Sequence, residues 1–353
     1  VVTAPIRVGV LEDMADGPTE DFTHGGGLEH FLRVAVDELR ATGRLDRDVE
    51  FVHAYGTGLP HGTAHAVEQA FAELVAAGVL MVVGPAIGDN ALVATPLADT
   101  AQLPTINWAG TERARSEWMF HLQVGSHEDE AIVLAQRLVA EGHRRVALIF
   151  DRSPIGRRYT AFFEAECEVL GIDIATRTSI SAIATDADAP VRAARGAGVD
   201  ALVYLGLGMT GRAVGRARAA AGWAVPAYMN AAGMFGHSPD VAVDIDGWTY
   251  VDMYSDTNTT LAALRTRLGP GHEHGVQAAY GYDLGRLTAE GLARAPELTR
   301  HGVREGLELV KWLPAAQGHE GTLLTFGTQD RGALHGRYLV LRRWQGGESV
   351  EVG

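Results

Sequence analysis

Between Val79 and Thr111 the chain reads VLMVVGPAIGDNALVATPLADTAQLPTINWAGT, the stretch that most narrows what the sequence can fold into. A short apolar run, Val79 to Val83, ends in Gly84-Pro85, and Asp89 or Asn90 is placed to cap a helix. Pro104 closes the connection, and a second short run, Thr105 to Asn107, stops at Trp108-Ala109-Gly110-Thr111. Two buried strands joined by a helix form a βαβ unit, whose strands are parallel. Their carboxyl ends therefore share one sheet edge, where open α/β proteins bind ligands. That edge gathers Gly88, Asp89, Asn90, Trp108 and Thr111, which supply backbone N–H groups, short polar side chains and an aromatic plate. The pattern suits a small molecule, and it contains no nucleophile–base pair.

The same alternation runs through the rest of the chain. Ile6 to Leu11 predicts a first strand, and Leu28, Phe31, Leu32, Ala35, Val36 and Leu39 recur at helical spacing. Val49 to Ala54 predicts a second strand, followed by a helix carrying Val67, Ala70, Phe71 and Leu74. Four strands alternating with three helices by residue 107 predict a doubly wound parallel sheet. The pattern then restarts. Ser126 to Asp129 opens a helix with a serine cap and early acids. Strands are predicted at Arg145–Phe150, Ala201–Leu205 and Val225–Asn230, with helices between them. The chain closes with short strands at Gly321–Phe326 and Gly336–Trp344 around a turn. At 353 residues the chain exceeds a usual single core. The expectation is two similar doubly wound α/β lobes joined by a multi-strand hinge, with crossings at Phe120–Ser126, Tyr250–Asp256 and Leu324–Arg331. Residues 1–121 with 254–326 would form the first lobe, and 122–253 with 327–353 the second.

Charge and composition exclude several classes. The net charge is −14 and there is no basic block, so the electrostatic footprint of a nucleic-acid binder is missing. No apolar run reaches the length of a membrane span. The single cysteine, Cys167, permits no internal disulfide and sits on the apolar face of a predicted helix, a buried inert thiol. Gly206-Leu207-Gly208-Met209-Thr210-Gly211 matches the GxGxxG spacing between a strand and a helix but lacks the acid about 20 residues on that would hold a ribose. His24-Gly25-Gly26-Gly27 resembles an esterase oxyanion loop, yet no GxSxG elbow follows. His61 and His65 lie four apart, a spacing that can grip zinc with a third ligand such as His53. His272-Glu273-His274 falls in a Gly/Pro loop and predicts solvated surface. No cofactor, no metal and no catalysis are expected.

With two lobes in place, the chain resembles the branched-chain amino-acid binding proteins of ABC importers, which have the type I periplasmic binding fold. The resemblance runs from Ile6 to about Val352. It rests on Ile6–Met14 with Gly17-Pro18, Ala35–Leu39, Val82–Pro85, Leu103–Ile106, Val146–Asp151, Tyr204, Arg216–Gly222, and Tyr280–Asp283 with Leu287–Glu290. It implies a monomeric extracytoplasmic protein that closes like a hinge on a small solute and delivers it to a membrane permease. The start at Val1 is compatible with a removed leader. By position, Gly88 would present its N–H to a ligand carboxylate, Ala109 its carbonyl, and Thr111 its N–H and hydroxyl, with Asp89 and Gly110 beside them.

The departures from that family matter as much. Gly88 stands where a serine is usual. The second-lobe loop reads Asn230-Ala231-Ala232-Gly233-Met234, with Ala232 where the family places an acid to pair with the ligand ammonium. Ile155 and Gly208 fall where aromatic residues are usual. Burying an ammonium without a carboxylate costs several kcal/mol, which points away from leucine. Two alternatives remain: Trp108 stacks on an aromatic or planar acid with Met209, Met234 and Ile155 completing an apolar wall, or Asp13, Asp89 or Asp252 replaces the missing acid and holds an amine from another direction. An intracellular sensor of the same fold is the second functional reading, and a nucleotide-cofactor enzyme the third.

Overall fold

The computed structural model describes residues 4–18, 27–234, 243–269 and 275–353. The chain divides into two compact units, Val1–Val124 with Met253–Tyr338 and Gly125–Asp252 with Leu339–Gly353. His24 to Gly26 and His272 to His274 lie outside the described residues.

The first unit is built on β1 (Ile6–Glu12), β2 (Val49–Tyr55), β3 (Met81–Val83), β4 (Thr105–Asn107) and β5 (Met119–His121), in the order β2-β1-β3-β4-β5. All of these pairings are parallel. β3, β4 and β5 are buried at every residue, as parallel strands covered on both faces should be. Helices α1 (Gly27–Ala41), α2 (Ala64–Ala76) and α3 (Gly88–Ala101) connect the early strands. The apolar stripe of α1, Phe31 to Leu39, is buried as its spacing predicts.

The second unit repeats the plan. Its sheet carries β6 (Arg145–Asp151), β7 (Asp173–Ile180), β8 (Ala201–Leu205), β9 (Ala227–Met229) and β10 (Thr249–Asp252) in the parallel order β7-β6-β8-β9-β10, the first unit's order. Helices α4 (Asp129–Ala140), α5 (Pro154–Leu170), α6 (Asp188–Gly196) and α7 (Gly208–Ala220) belong to it, with a 3-10 turn at Ala231–Met234. Cys167 on α5 is 1 % exposed, and burial pushes its thiol up to about 12.

The C-terminal third returns to the first unit through α8 (Thr259–Leu268), α9 (Gly275–Arg294) and α10 (Arg300–Glu308). α9 lies along α1. A small antiparallel sheet follows, β11 (Leu313–Pro314), β12 (Leu323–Leu324) and β13 (Leu334–His335). The last strands, β14 (Val340–Gln345) and β15 (Glu348–Glu351), extend the second unit's sheet antiparallel from β10. The two closing strands of the sequence reading therefore do not pair with each other. Residues 327–338, assigned from sequence to the second lobe, lie in the first unit, because β13 pairs with β12 and Leu334 N bonds Gln123 Oε1 at 2.9 Å. The spacing also gave no sign of α10 or β5.

Candidate functional site

In each unit the strand order reverses beside the first strand, between β1 and β3 and between β6 and β8, and the loops at that switch point are the expected ligand edge. An acid organises each. Asp13 follows β1, is 2 % exposed, and accepts from Ala86 N at 2.9 Å, Ile87 N at 3.0 Å and Asn90 Nδ2 at 2.8 Å. Burial raises its carboxyl, and these three donors pull it back toward the charged form. Asp13 is thus consumed in fixing the turn from β3 to α3. Asn90 does similar work: its Oδ1 accepts from Leu59 N at 2.8 Å and its Nδ2 donates to Leu59 O at 3.2 Å. Neither Asp89 nor Asn90 caps α3; the N-cap is Ile87, with no side-chain bond. The Gly88 N–H, in the first turn of α3, has no acceptor within the helix, the usual setting for an anion.

The loop after β4 differs from expectation at one residue. Ala109 is fully buried, and its carbonyl accepts from His121 Nε2 at 2.6 Å and from Val124 N at 3.3 Å. A carbonyl only accepts, so Nε2 carries the ring proton, and Nδ1 accepts from Arg115 Nε at 3.0 Å. Burial, reinforced by Arg115, holds His121 down at about 3, so the ring is neutral. Two donors fill the two lone pairs of Ala109, and the carbonyl expected to meet a ligand is already used. Gly110 is half-buried. Thr111 is 1 % exposed, with its Oγ1 accepting from Arg113 N at 3.4 Å.

Trp108 stacks on Tyr280 of α9, ring centroids 4.8 Å apart and 17° from parallel. It is 6 % exposed, and its Nε1 has no hydrogen-bond partner among the described residues. Both rings line a cavity of about 350 Å³ that also touches Glu12 and Met14 at the end of β1, Glu29 and Phe31 of α1, His53 and Tyr55 of β2, and Gln277 of α9. His53 lies between two carboxylates, Nε2 at 2.7 Å from Glu29 and Nδ1 at 3.3 Å from Glu12. Glu12 first, and Glu29 after it, raise the imidazole pKa against the opposing effect of burial. The sequence singled out His53 only as a third zinc ligand. His61 and His65 are exposed, His65 pairs with Glu68 at 3.4 Å, and no group of three or more metal-ligating side chains occurs among the described residues. The signal that could have found this wall was positional: Glu12 and Tyr55 end two adjacent strands.

In the second unit Asp151 ends β6. Its Oδ2 accepts from Leu207 N at 2.6 Å, and its Oδ1 accepts from Ser153 N at 2.9 Å and from the Ser153 hydroxyl. Gly206 has φ +153°, and a Cβ there would overlap the Asp151 carboxylate. Asn230 is fully buried; its Oδ1 accepts from Gly206 N at 2.9 Å and its Nδ2 donates to Gly206 O at 3.0 Å. A Cβ on Gly211 would lie 3.0 Å from the Gly233 carbonyl. Close packing among β8, Asp151 and the turn after β9 accounts for these glycines, and the dinucleotide reading loses its support. Of the residues expected to face a ligand, Met209 is 46 % exposed and Ala232 half-buried. Ile155 and Gly208 are buried in first helical turns, Asn230 is spent on Gly206, and Met234 belongs to the unit's apolar core. The loop after β9 is held by an acid from elsewhere: Glu130 of α4, fully buried, accepts from Ala231 N at 2.6 Å, Ser126 N at 2.7 Å and Tyr159 OH at 2.7 Å.

The sequence matches the family model described as periplasmic binding protein over residues 5–346. The chain belongs to this family. Periplasmic binding proteins of this kind are solute-binding proteins, which are not enzymes. Solved structures similar to this periplasmic binding protein include a leucine binding protein LivK from Thermotoga maritima, with 14 % identity, a TM-score of 0.81, and coverage of 99 % of this chain and 98 % of that one. An ABC transporter substrate-binding protein from Sphaerobacter thermophilus has 20 % identity and a TM-score of 0.77, with 99 % and 96 % covered. An extracellular ligand-binding receptor from Rhodopseudomonas palustris HaA2 has 18 % identity and a TM-score of 0.74, with 99 % and 100 % covered. At these identities the likeness is one of fold. No curated protein sequence matches the chain. No helix among the described residues is long and apolar enough to cross a membrane.

Proposed function

We propose that this periplasmic binding protein is the extracytoplasmic solute-binding component of an ABC importer, capturing a small carboxylate-bearing solute with an apolar or aromatic body and passing it to a membrane permease. The observation that carries this reading is the carboxyl edge of the first unit. There α3 begins without a side-chain cap at Gly88 and Asp89, next to the Trp108–Gly110–Thr111 loop and a cavity walled by Trp108 and Tyr280. Backbone donors suit the carboxylate and the aromatic wall suits the body. In the second unit, Ala232, Met209, Gly208 and Ile155 offer small and apolar contacts without a carboxylate. Glu130, the acid beneath that loop, is taken up by three donors of its own unit. That unit therefore offers no free acid of its own to the ammonium of a leucine or valine.

A thermal-shift screen of the whole chain against aliphatic amino acids, aromatic acids and amides tests the proposal. A ligand at 100 times its Kd adds about 2.7 kcal/mol of stability, a readily measured rise in Tm. Aromatic or branched carboxylates should give it. Stabilisation by leucine or valine alone would refute the ligand class, and no stabilisation by any solute would refute the capture role.

A further inference from the structure

The cavity of the first unit reaches beyond the loops after β3 and β4, toward the ends of β1 and β2, and its wall there has a different chemistry. Glu12, Glu29, His53 and Tyr55 face it, and no lysine or arginine is among the described residues that line it. The two carboxylates are not equivalent. Glu29 already holds Arg33 Nε at 2.6 Å along α1 and His53 Nε2 at 2.7 Å. Among the described residues Glu12 makes one ion pair, with His53 Nδ1 at 3.3 Å. Glu12 is therefore the less heavily paired carboxylate of this cavity wall. The stacked rings of Trp108 and Tyr280 line the same cavity. A carboxylate and aromatic rings around one cavity form an environment that stabilises an ammonium, through charge pairing and the ring quadrupoles.

We propose that this cavity is a cation subsite in which Glu12 pairs with an ammonium or related cationic group of the solute, with Trp108 and Tyr280 as its aromatic wall. The subsite deepens the capture reading and rests on it, by giving the solute a cationic end as well as a carboxylate. Burial, then the charges of Glu12 and Glu29, push the Tyr55 hydroxyl pKa up, the sign expected of a negative wall. When protonated, His53 is a cation that competes for Glu12. Facing it are Glu12 from β1, Glu29 from α1 with Arg33 behind it, and Tyr55 from its own strand, whose ring stacks at 6.1 Å. Carboxylate partners favour its protonated form, so the subsite opens to an incoming amine as pH rises and His53 releases its proton.

Calorimetric titration of the whole chain with phenethylamine, and separately with 3-phenylpropionate, tests the subsite. Phenethylamine should bind, about tenfold more weakly to Glu12→Gln, while 3-phenylpropionate is unaffected by that change. Phenethylamine affinity should rise from pH 6 to pH 8 in the wild type and lose that slope in His53→Gln, a readout that loosened packing would not give. A Glu12→Asp variant that recovers part of the affinity guards against a folding defect in Glu12→Gln. Phenethylamine binding that is absent, or equal in wild type and Glu12→Gln, overturns the subsite. If 3-phenylpropionate or an amino acid binds in that case, solute capture stands and only the subsite falls. If nothing binds, both fall.

Discussion

Glu130 shows how a single side chain can hold a turn, Ala231 to Met234, whose residues carry no polar side chain. Three donors from Ser126, Tyr159 and Ala231 converge on its carboxylate, and each favours the charged form. Burial outweighs them and pushes the carboxyl up to about 7 from 4.5, with Asp252 adding to the rise. The sign of the consequence follows from proton binding. Between pH 4.5 and 7 the native state keeps a proton that the unfolded chain has released, so the contribution of Glu130 to stability falls as pH rises through that window. Relative to Glu130→Gln, which does not titrate, the wild type should lose roughly 3 kcal/mol between pH 4.5 and pH 8. Urea denaturation at both pH values measures it. A constant difference would mean that the three donors keep the carboxylate charged throughout. Spacing could not reveal this role, because Glu130 reads as one of several early acids of α4, and its partners lie 29 and 101 residues away.

At the scale of elements, close helix packing is made with glycine. A Cβ on Gly285 of α9 would lie 2.9 Å from Ala35 Cβ and from Leu32 Cα of α1, and one on Gly306 of α10 would overlap the Gly291 carbonyl of α9. In both cases backbone or a stiff side chain would have to move. Gly306→Ala should therefore cost about 3 kcal/mol, the upper range for overpacking. Gly196 is the opposite case: it ends α6, nothing lies within 4 Å of an added Cβ, and its φ is not positive. Gly196→Ala should stabilise by about 0.5 kcal/mol through the unfolded chain. Thermal denaturation of the two variants checks the contrast, and equal effects would refute it. The helical stripes of α1 and α2 and the apolar strands were legible because burial imposes a period on the sequence. α10 was not legible: its glycines at Gly302 and Gly306 blur a stripe of only two large apolar residues, Val303 and Leu307.

For the whole molecule, the discontinuous units mean that each unit includes chain distant in sequence. The last fifteen residues, 339–353, belong to the second unit. There β14 covers the edge of β10, Arg342 is 1 % exposed with Nε 2.7 Å from Ser349 Oγ, and Tyr250 OH meets the same Ser349 Oγ at 2.5 Å. Removing 339–353 should strip amide-exchange protection from β9 and β10 while β1 and β3 keep theirs; an equal loss in both units would refute that division. Most of the strands and longer helices, their doubling into two α/β units and the family were readable along the chain, because burial and chain reversal each leave a local, periodic mark. The sequence also located the loop at Gly88 and Trp108, since strand ends at a switch point can be read in order. Which polar groups of those loops are already spent shows in the packed fold alone: Asn90 on Asp13 and Leu59, the Ala109 carbonyl on His121, Asn230 on Gly206. That fold alone brought Glu12, His53, Trp108 and Tyr280 around one cavity. The physical reason is that a hydrogen bond or a cavity wall joins groups far apart in the chain. Spacing shows where each group ends up along an element, and the packed fold decides which partner it meets.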